Sequence, residues 1–368
     1  MLVTKQPVFR RFWYPVLPVS RLDDGPKQFI LLGEKIVVWR DGEGMVSALQ
    51  DRCCHRTAEL SRGYCENGVL VCGYHGWNYD RTGRCIKIPQ LPSGRVPPNT
   101  RVTSYRADER YGYVWVCLGD EPLSGIPDIP EATRPGYRLI QQFYEEMRTS
   151  GLRLMENSFD PAHVQFTHRG TFGDPVDAAD PQMDIMENEW GLTMTVQVPV
   201  KNTGLAKDVL GTAGSGAKTT RSVESIWWMP FFRRTKMVYP NGLEHTLCTA
   251  ATPIDDRTSM ICQFALRNDT EAQVRAEDVI AFDRKIVEED VFILEGTDPD
   301  VPLEARDVER SIAADKPGLM MRRMLLRLLA RNGEKEVTNR LAAAPPGVRP
   351  VVSSPLVNVA AATAEAAP

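Results

Sequence analysis

Only five histidines serve this chain of 368 residues, and four of them fall into two short motifs. One motif reads Cys53-x-His55, then sixteen residues, then Cys72-x-x-His75. The other reads Asn157-x-x-Asp160-x-x-His163, then four residues, then His168. Thiolates and imidazoles gathered at such spacings converge on metal, so turns or helix ends have to present them. The two motifs predict two separate metal sites, and the fold has to be built around them.

The rest of the composition narrows the class. Eight cysteines are present, and Cys53, Cys54, Cys65, Cys72 and Cys85 lie within 33 residues. Beside histidine in a cytosolic chain, that cluster points to metal rather than to disulfides. Cys117, Cys248 and Cys262 sit in apolar strand-like runs and read as buried free thiols. The net charge of −4, without a long block of one sign, points away from nucleic acid as a partner. No stretch approaches the roughly 18 to 20 apolar residues of a membrane helix. The opening MLVTKQPVFRRFWYPV lacks an apolar signal core, so the expected location is cytoplasmic.

Length predicts about two domains. Residues 9–120 are rich in turns and short strands, as in FILLGEKIVVWR, and read as a small all-β domain. Residues 121–136, with Pro122, Pro127, Pro130 and Pro135, read as a connector. Residues 121–340 as a whole form the second domain. Helix is expected around 149–168, strands at 191–200, 221–232, 235–239, 246–253 and 258–266, and a long helix over 271–295. That mixture predicts an antiparallel sheet backed by helices, an α+β fold. A basic amphipathic helix over 317–332 stops near Gly333 and is expected to pack on its own domain or on a neighbouring subunit. Residues 343–368 are Ala, Pro and Val with little charge and predict a disordered tail.

Two Cys and two His at the first motif's spacing suit zinc or a two-iron cluster. Each pair offers one thiolate and one imidazole, which fits a cluster with one iron on two Cys and the other on two His. The loops CCHR and CGYHGWNYDRTGRC resemble the Rieske domain of Rieske non-haem iron oxygenases. The resemblance implies a [2Fe-2S] cluster on Cys53, His55, Cys72 and His75, with Trp77 packed nearby. Cys54, Cys65 and Cys85 have no place in that pattern and read as bystanders.

In the second motif, His163 and His168 are five residues apart, about 500° of rotation on a regular helix. They share a site only across a π-bulge or a helix end, and Pro161 supports such a break. A third ligand is expected from the 271–295 helix. Periodicity puts both Asp283 and Asp290 on its apolar stripe, while Glu288 points outward. NSFDPAHVQFTH resembles the Asn-x-x-Asp-x-x-His-x4-His signature of the same family, and Glu289-Asp290-x4-Glu295 resembles its Glu-Asp-x4-Glu pattern. The resemblance implies mononuclear Fe(II) on His163, His168 and Asp290, with Asp283 the second choice. It also implies that the Asp160 carboxylate joins His163 to His75 of a neighbouring subunit. Asn157 lies one turn earlier on the same face.

The resemblance covers about residues 10–300. It implies an all-β Rieske [2Fe-2S] domain, a helix-grip-like catalytic domain and a head-to-tail α3 homotrimer. It further implies electrons from NAD(P)H through a separate flavin reductase, a ferredoxin or both, with O2 and a small organic molecule as substrates. The opening FWYPVLPVSRL and the RCCHR loop look most like the vanillate demethylase-like and pheophorbide a oxygenase-like branch, which favours monohydroxylation or oxidative demethylation. Ring cis-dihydroxylation, a Rieske electron-transfer protein and a zinc-binding module are the alternatives. The 203–220 stretch reads as a mobile lid rather than a phosphate loop. Trp227–Phe232 suits either a pocket wall or a core strand, and His245 reads as an ordinary strand residue. Arg52, Arg56, Arg62, Arg81, Arg84 and Lys87 form a basic rim, solvated or facing an acidic electron donor.

Overall fold

The computed structural model describes residues 1–178, 181–202, 204–212, 216–305 and 307–339. The tail expected at 343–368 therefore lies outside the described residues, as does part of the 203–220 stretch.

Ten short strands precede residue 118: β1 (Tyr14–Pro18), β2 (Lys27–Leu31), β3 (Glu34–Arg40), β4 (Val46–Gln50), β5 (Tyr64–Glu66), β6 (Val69–Val71), β7 (Asn78–Tyr79), β8 (Cys85–Lys87), β9 (Ser104–Arg110) and β10 (Tyr113–Cys117). They form a six-stranded sheet, β1-β10-β9-β4-β3-β2, and a four-stranded sheet, β5-β6-β7-β8. Both motif loops hang on this frame: Cys53 and His55 follow β4, and Cys72 and His75 join β6 to β7. A small core of Trp39, Leu49, Leu60, Leu70 and Tyr79 packs beneath them. Gly63 allows the closest approach there, since a Cβ at that position would stand 1.9 Å from the Val71 carbonyl oxygen.

A third sheet has seven antiparallel strands in the order β11-β17-β16-β15-β14-β13-β12. Its members are β11 (Arg138–Met147), β12 (Met183–Asn188), β13 (Gly191–Lys201), β14 (Lys218–Trp228), β15 (Phe232–Val238), β16 (Glu244–Pro253) and β17 (Ser259–Arg267). β11 and β12 extend the expected set. The run expected as one strand to residue 232 instead ends at Trp228. Met229-Pro230-Phe231 turns the chain, because Pro230 cannot donate to a ladder, and the Trp227 indole closes the turn on the Pro230 carbonyl at 3.0 Å. Trp227 is fully buried, so it belongs to the core.

The described residues also form five α-helices: α1 (Gly151–Ser158), α2 (Val164–Thr167), α3 (Gly204–Val209), α4 (Ala276–Leu294) and α5 (Lys316–Arg331). α3 places a helix in the stretch expected as a lid, and the Arg267 guanidinium ties it down through the Val209 carbonyl at 2.9 Å. α5 buries Met321, Met324, Leu325, Leu328 and Leu329 in its own chain, and Arg322 pairs with Glu156 of α1 and, at 2.7 Å, with Glu309. No described helix is long and apolar enough to cross a membrane. The proline-rich connector is also anchored, by buried Glu131 paired with Arg234 of β15. One continuous apolar core joins the six-stranded and seven-stranded sheets.

Candidate metal centres

The two cysteine loops close in the same way. Cys53 N–H donates to Ala58 O and Cys72 N–H to Trp77 O, each five residues on, at 2.8 Å. The Cys53 and Cys72 carbonyls accept from Thr57 and Gly76, each four residues on, at 2.9 Å. Thr57 and Gly76 occupy matching left-handed positions, with φ of 58° and 71°. Two such knuckles facing one another present two sulfurs inside and two imidazoles outside. Cys53 and Cys72 are buried, while His55 is exposed and lies 4.6 Å from His75, ring to ring. Trp77 stacks on His55 at 4.5 Å and 4°, which fixes that ring. Burial, with the Cys53 sulfur alongside, pushes the Cys72 thiol up.

Tyr79, which no sequence motif singles out, lies under the sulfurs. Its buried hydroxyl is 3.1 Å from Cys53 Sγ and 3.2 Å from Cys54 Sγ. Cys54 is therefore tied to the site rather than a bystander. Cys65 is exposed on β5, and buried Cys85 turns its thiol toward the Lys87 carbonyl at 3.5 Å. The arginines and lysine of the expected basic rim are all exposed.

The second motif is assembled by a broken helix. α1 stops at Ser158, Pro161 has no N–H to continue it, and Asp160 Oδ1 takes the Ala162 N–H at 2.8 Å. α2 then starts, with His163 at its N-terminal boundary and His168 at its C-terminal one. The break is thus a helix end rather than a π-bulge, and it turns both imidazoles to one point. There α4 delivers Asp290: its Oδ1 lies 3.5 Å from His163 Nε2 and 3.4 Å from His168 Nε2. All three ligand atoms fall within 4.8 Å of one another, and Asp290 Oδ1 is buried without a hydrogen-bond partner. An orphaned carboxylate oxygen facing two imidazole nitrogens fits a divalent ion with open positions.

The outer ring nitrogens fix the tautomers. His168 Nδ1 donates to Glu289 Oε2 at 2.9 Å, and His163 Nδ1 donates to the backbone carbonyl of Asp160. Both Nε2 atoms then carry free lone pairs toward Asp290. Burial, with His163 and Arg221 adding to it and Asp290 opposing, lowers the His168 pKa to about 4. The sequence did not reveal Glu289 as the partner of His168. Its signal was its place beside Asp290, about 100° around the helix, toward the segment that follows His168.

Two expectations, for Asp160 and His245, change in detail. The Asp160 carboxylate stands 3.9 Å from His163 Nδ1 rather than in a hydrogen bond, because the turn aims the Asp160 carbonyl at that nitrogen instead. Asp283 stays away from the two histidines; it is buried and meets Gln142 and, at 3.2 Å, His245 Nε2. His245 itself is buried and accepts at Nδ1 from Arg267 at 2.9 Å, so it is part of an internal polar chain. Asn157 is grouped with Asp160 and His163, all three lining a cleft of about 490 Å³ together with Arg153, Glu156 and Arg322.

Comparison with known proteins supplies the family. Residues 12–106 match the Rieske [2Fe-2S] domain, and residues 147–331 match the vanillate O-demethylase oxygenase C-terminal domain. The chain is 30% identical to methylxanthine N1-demethylase NdmA of Pseudomonas putida over 87% of its own length and 89% of that protein's. It is 28% identical to the N3-demethylase NdmB of the same species, over 88% and 90%. The structure of Pseudomonas putida NdmA with caffeine superposes with a TM-score of 0.77 at 27% identity, over 89% of this chain and 93% of that one. Dicamba monooxygenase shares the fold, with a TM-score of 0.79 at 20% identity over 90% and 100%. With both domains matched and these relatives aligned over nearly their whole length, the chain belongs to the Rieske oxygenases, a family of oxidoreductases, as a terminal oxygenase (α) subunit with a vanillate O-demethylase-type catalytic domain.

Proposed function

We propose that the protein uses O2 and electrons from a separate reductase or ferredoxin to hydroxylate or oxidatively demethylate a small organic molecule. The observation that carries this reading is the convergence of the His163 and His168 Nε2 atoms on Asp290 Oδ1, a buried carboxylate oxygen without a hydrogen-bond partner. In this reading Cys53, His55, Cys72 and His75 hold the [2Fe-2S] cluster, and His163, His168 and Asp290 hold Fe(II). When bound, the two centres supply single-electron transfer and O2 activation, respectively.

The chain's own residues do the rest. Glu289 and the Asp160 carbonyl hold the outer protons of the ligand histidines and so keep the inner nitrogens free. Trp77 keeps His55 in place, and the exposed end of the motif loops leaves His75 available to a neighbour. The cleft beside Asp160 supports a head-to-tail trimer in which a second copy presents its His75 there. Residues 9–120 serve as the electron-receiving domain and 121–340 as the oxidising one. The relatives that remove methyl groups from methylxanthines favour demethylation as the reaction type.

The test is product analysis with iron-loaded protein, a surrogate reductase and a panel of methyl ethers and N-methyl heterocycles. Formaldehyde formed together with the demethylated product is the expected result. A reducible cluster with no oxygenated product from any panel member contradicts the reading, and a cis-diol product would move it to dihydroxylation.

A further inference from the structure

Tyr79 is fully buried in β7, between β6 and β8. A phenol enclosed in this way has to find its partners in the protein. The atoms its hydroxyl meets are two sulfurs, Cys53 Sγ at 3.1 Å and Cys54 Sγ at 3.2 Å. Cys53 and Cys54 are neighbours in the loop after β4, whereas Tyr79 is fixed in the small sheet opposite Leu70 and Cys85. The sheet therefore sets the hydroxyl, and the loop brings both sulfurs to it.

The phenol has one proton to give and two sulfurs within reach. The state of each sulfur decides between them. As a cluster ligand, Cys53 is a thiolate and can only accept. Cys54, outside the ligand set, is a thiol and can donate. The Tyr79 O–H goes to the charged sulfur, the stronger acceptor. That leaves the phenol oxygen's lone pairs for the Cys54 S–H. The result is a chain in which Cys54 donates to Tyr79 and Tyr79 donates to Cys53. Donors in series polarise one another, so the last bond is stronger than Tyr79 alone would make it. Reduction adds negative charge to the cluster and its sulfurs, and a hydrogen bond donated to a sulfur favours that state.

We propose that Cys54 is a positioning residue that raises the reduction potential of the cluster by directing the Tyr79 hydroxyl to Cys53 Sγ. The cluster takes up one electron from the reductase or ferredoxin, and no covalent bond changes. This rests on the assignment of Cys53 as a cluster ligand made above. The two fail differently: a wrong ligand assignment shows as a cluster retained in Cys53→Ala, whereas the proposal fails on potentials alone.

The experiment is a redox titration of the iron-loaded protein with mediator dyes, followed by visible absorption. Tyr79→Phe is expected to shift the equilibrium about tenfold toward the oxidised cluster, a fall of about 59 mV for one electron. Cys54→Ala is expected to shift it the same way by about threefold, since it weakens the bond to Cys53 without removing it. Cys54→Ser restores a donor and should stay within about 1.5-fold of the wild type. Adding Cys54→Ala to Tyr79→Phe should change nothing further, because Cys54 acts only through the hydroxyl. Iron and acid-labile sulfide at wild-type levels show that each variant keeps its cluster. If Cys54→Ala assembles none, Cys54→Val takes its place, being closer in volume and equally without a donor. The proposal is overturned if Cys54→Ala leaves the potential unchanged or raises it, or if its shift persists in full beside Tyr79→Phe. Loss of the cluster from both Cys54→Ala and Cys54→Val would make Cys54 a purely structural residue and would overturn it too.

Discussion

Glu289 Oε2 accepts from both His168 Nδ1 and Thr171 Oγ1 at 2.9 Å, whereas His163 leans on a neutral backbone carbonyl. The two imidazoles of the triad are therefore not equivalent, since a carboxylate partner makes its ring the stronger donor. Glu289→Gln should weaken iron retention by about 10-fold or more, measured by competition with a chelator, while the visible spectrum of the cluster stays unchanged. His168 also sets a pH dependence in the iron-free protein. Its folded-state pKa, about 4, lies below that of an unfolded histidine. Between roughly pH 6.5 and 4 the unfolded chain therefore binds a proton that the folded chain refuses, and stability falls as pH falls. Urea titrations should show that slope in the wild type and a shallower one in His168→Gln; equal slopes would contradict it. The ligand types were legible at this scale because they cluster in sequence. Tyr79 and Glu289 were not, because each gains its role from a partner brought near by the fold, as Tyr79 does from Cys53, 26 residues away.

Strands and helices were legible where a hydrophobic period ran unbroken, as in β16, β17, α4 and α5. The misjudged boundary at 228–232 sits where apolar residues continue through a turn, so composition hides the break that Pro230 makes. β12 escaped because it is a mostly exposed edge strand, with Met183 and Ile185 only partly buried and little alternation to read. The helix break at Asp160-Pro161 was legible for the opposite reason: Asp-Pro is a local signal. The four-stranded sheet carries an element-scale test. Gly63 lies against the Val71 carbonyl with no room for a methyl group, and β6 leads directly into Cys72. Gly63→Ala should therefore lower acid-labile sulfide while the iron bound by the triad is retained. Equal loss of both would mean that the two centres do not fold independently.

For the whole molecule, the shared core joining the two larger sheets holds the chain together, and the proposed trimer would seat a second copy at the cleft lined by Asp160. The trimer was implied by family resemblance alone, since an interface between chains leaves no period in one sequence. A pair of defective variants tests it. Cys72→Ser removes a sulfur proposed to hold the cluster, and His163→Ala removes a nitrogen of the His163, His168 and Asp290 group. Each alone should be inactive, and co-expression should restore part of the activity if electrons pass between chains. If each chain served only its own iron, the mixture would stay as inactive as its parts. Beneath all of this lies the presence of two iron centres in one chain, and metal analysis of fully loaded protein addresses that most directly. About three irons and two acid-labile sulfides per chain is the expected result, falling to about two irons in His163→Ala with sulfide unchanged. Zinc in place of iron, or iron without sulfide, would contradict it.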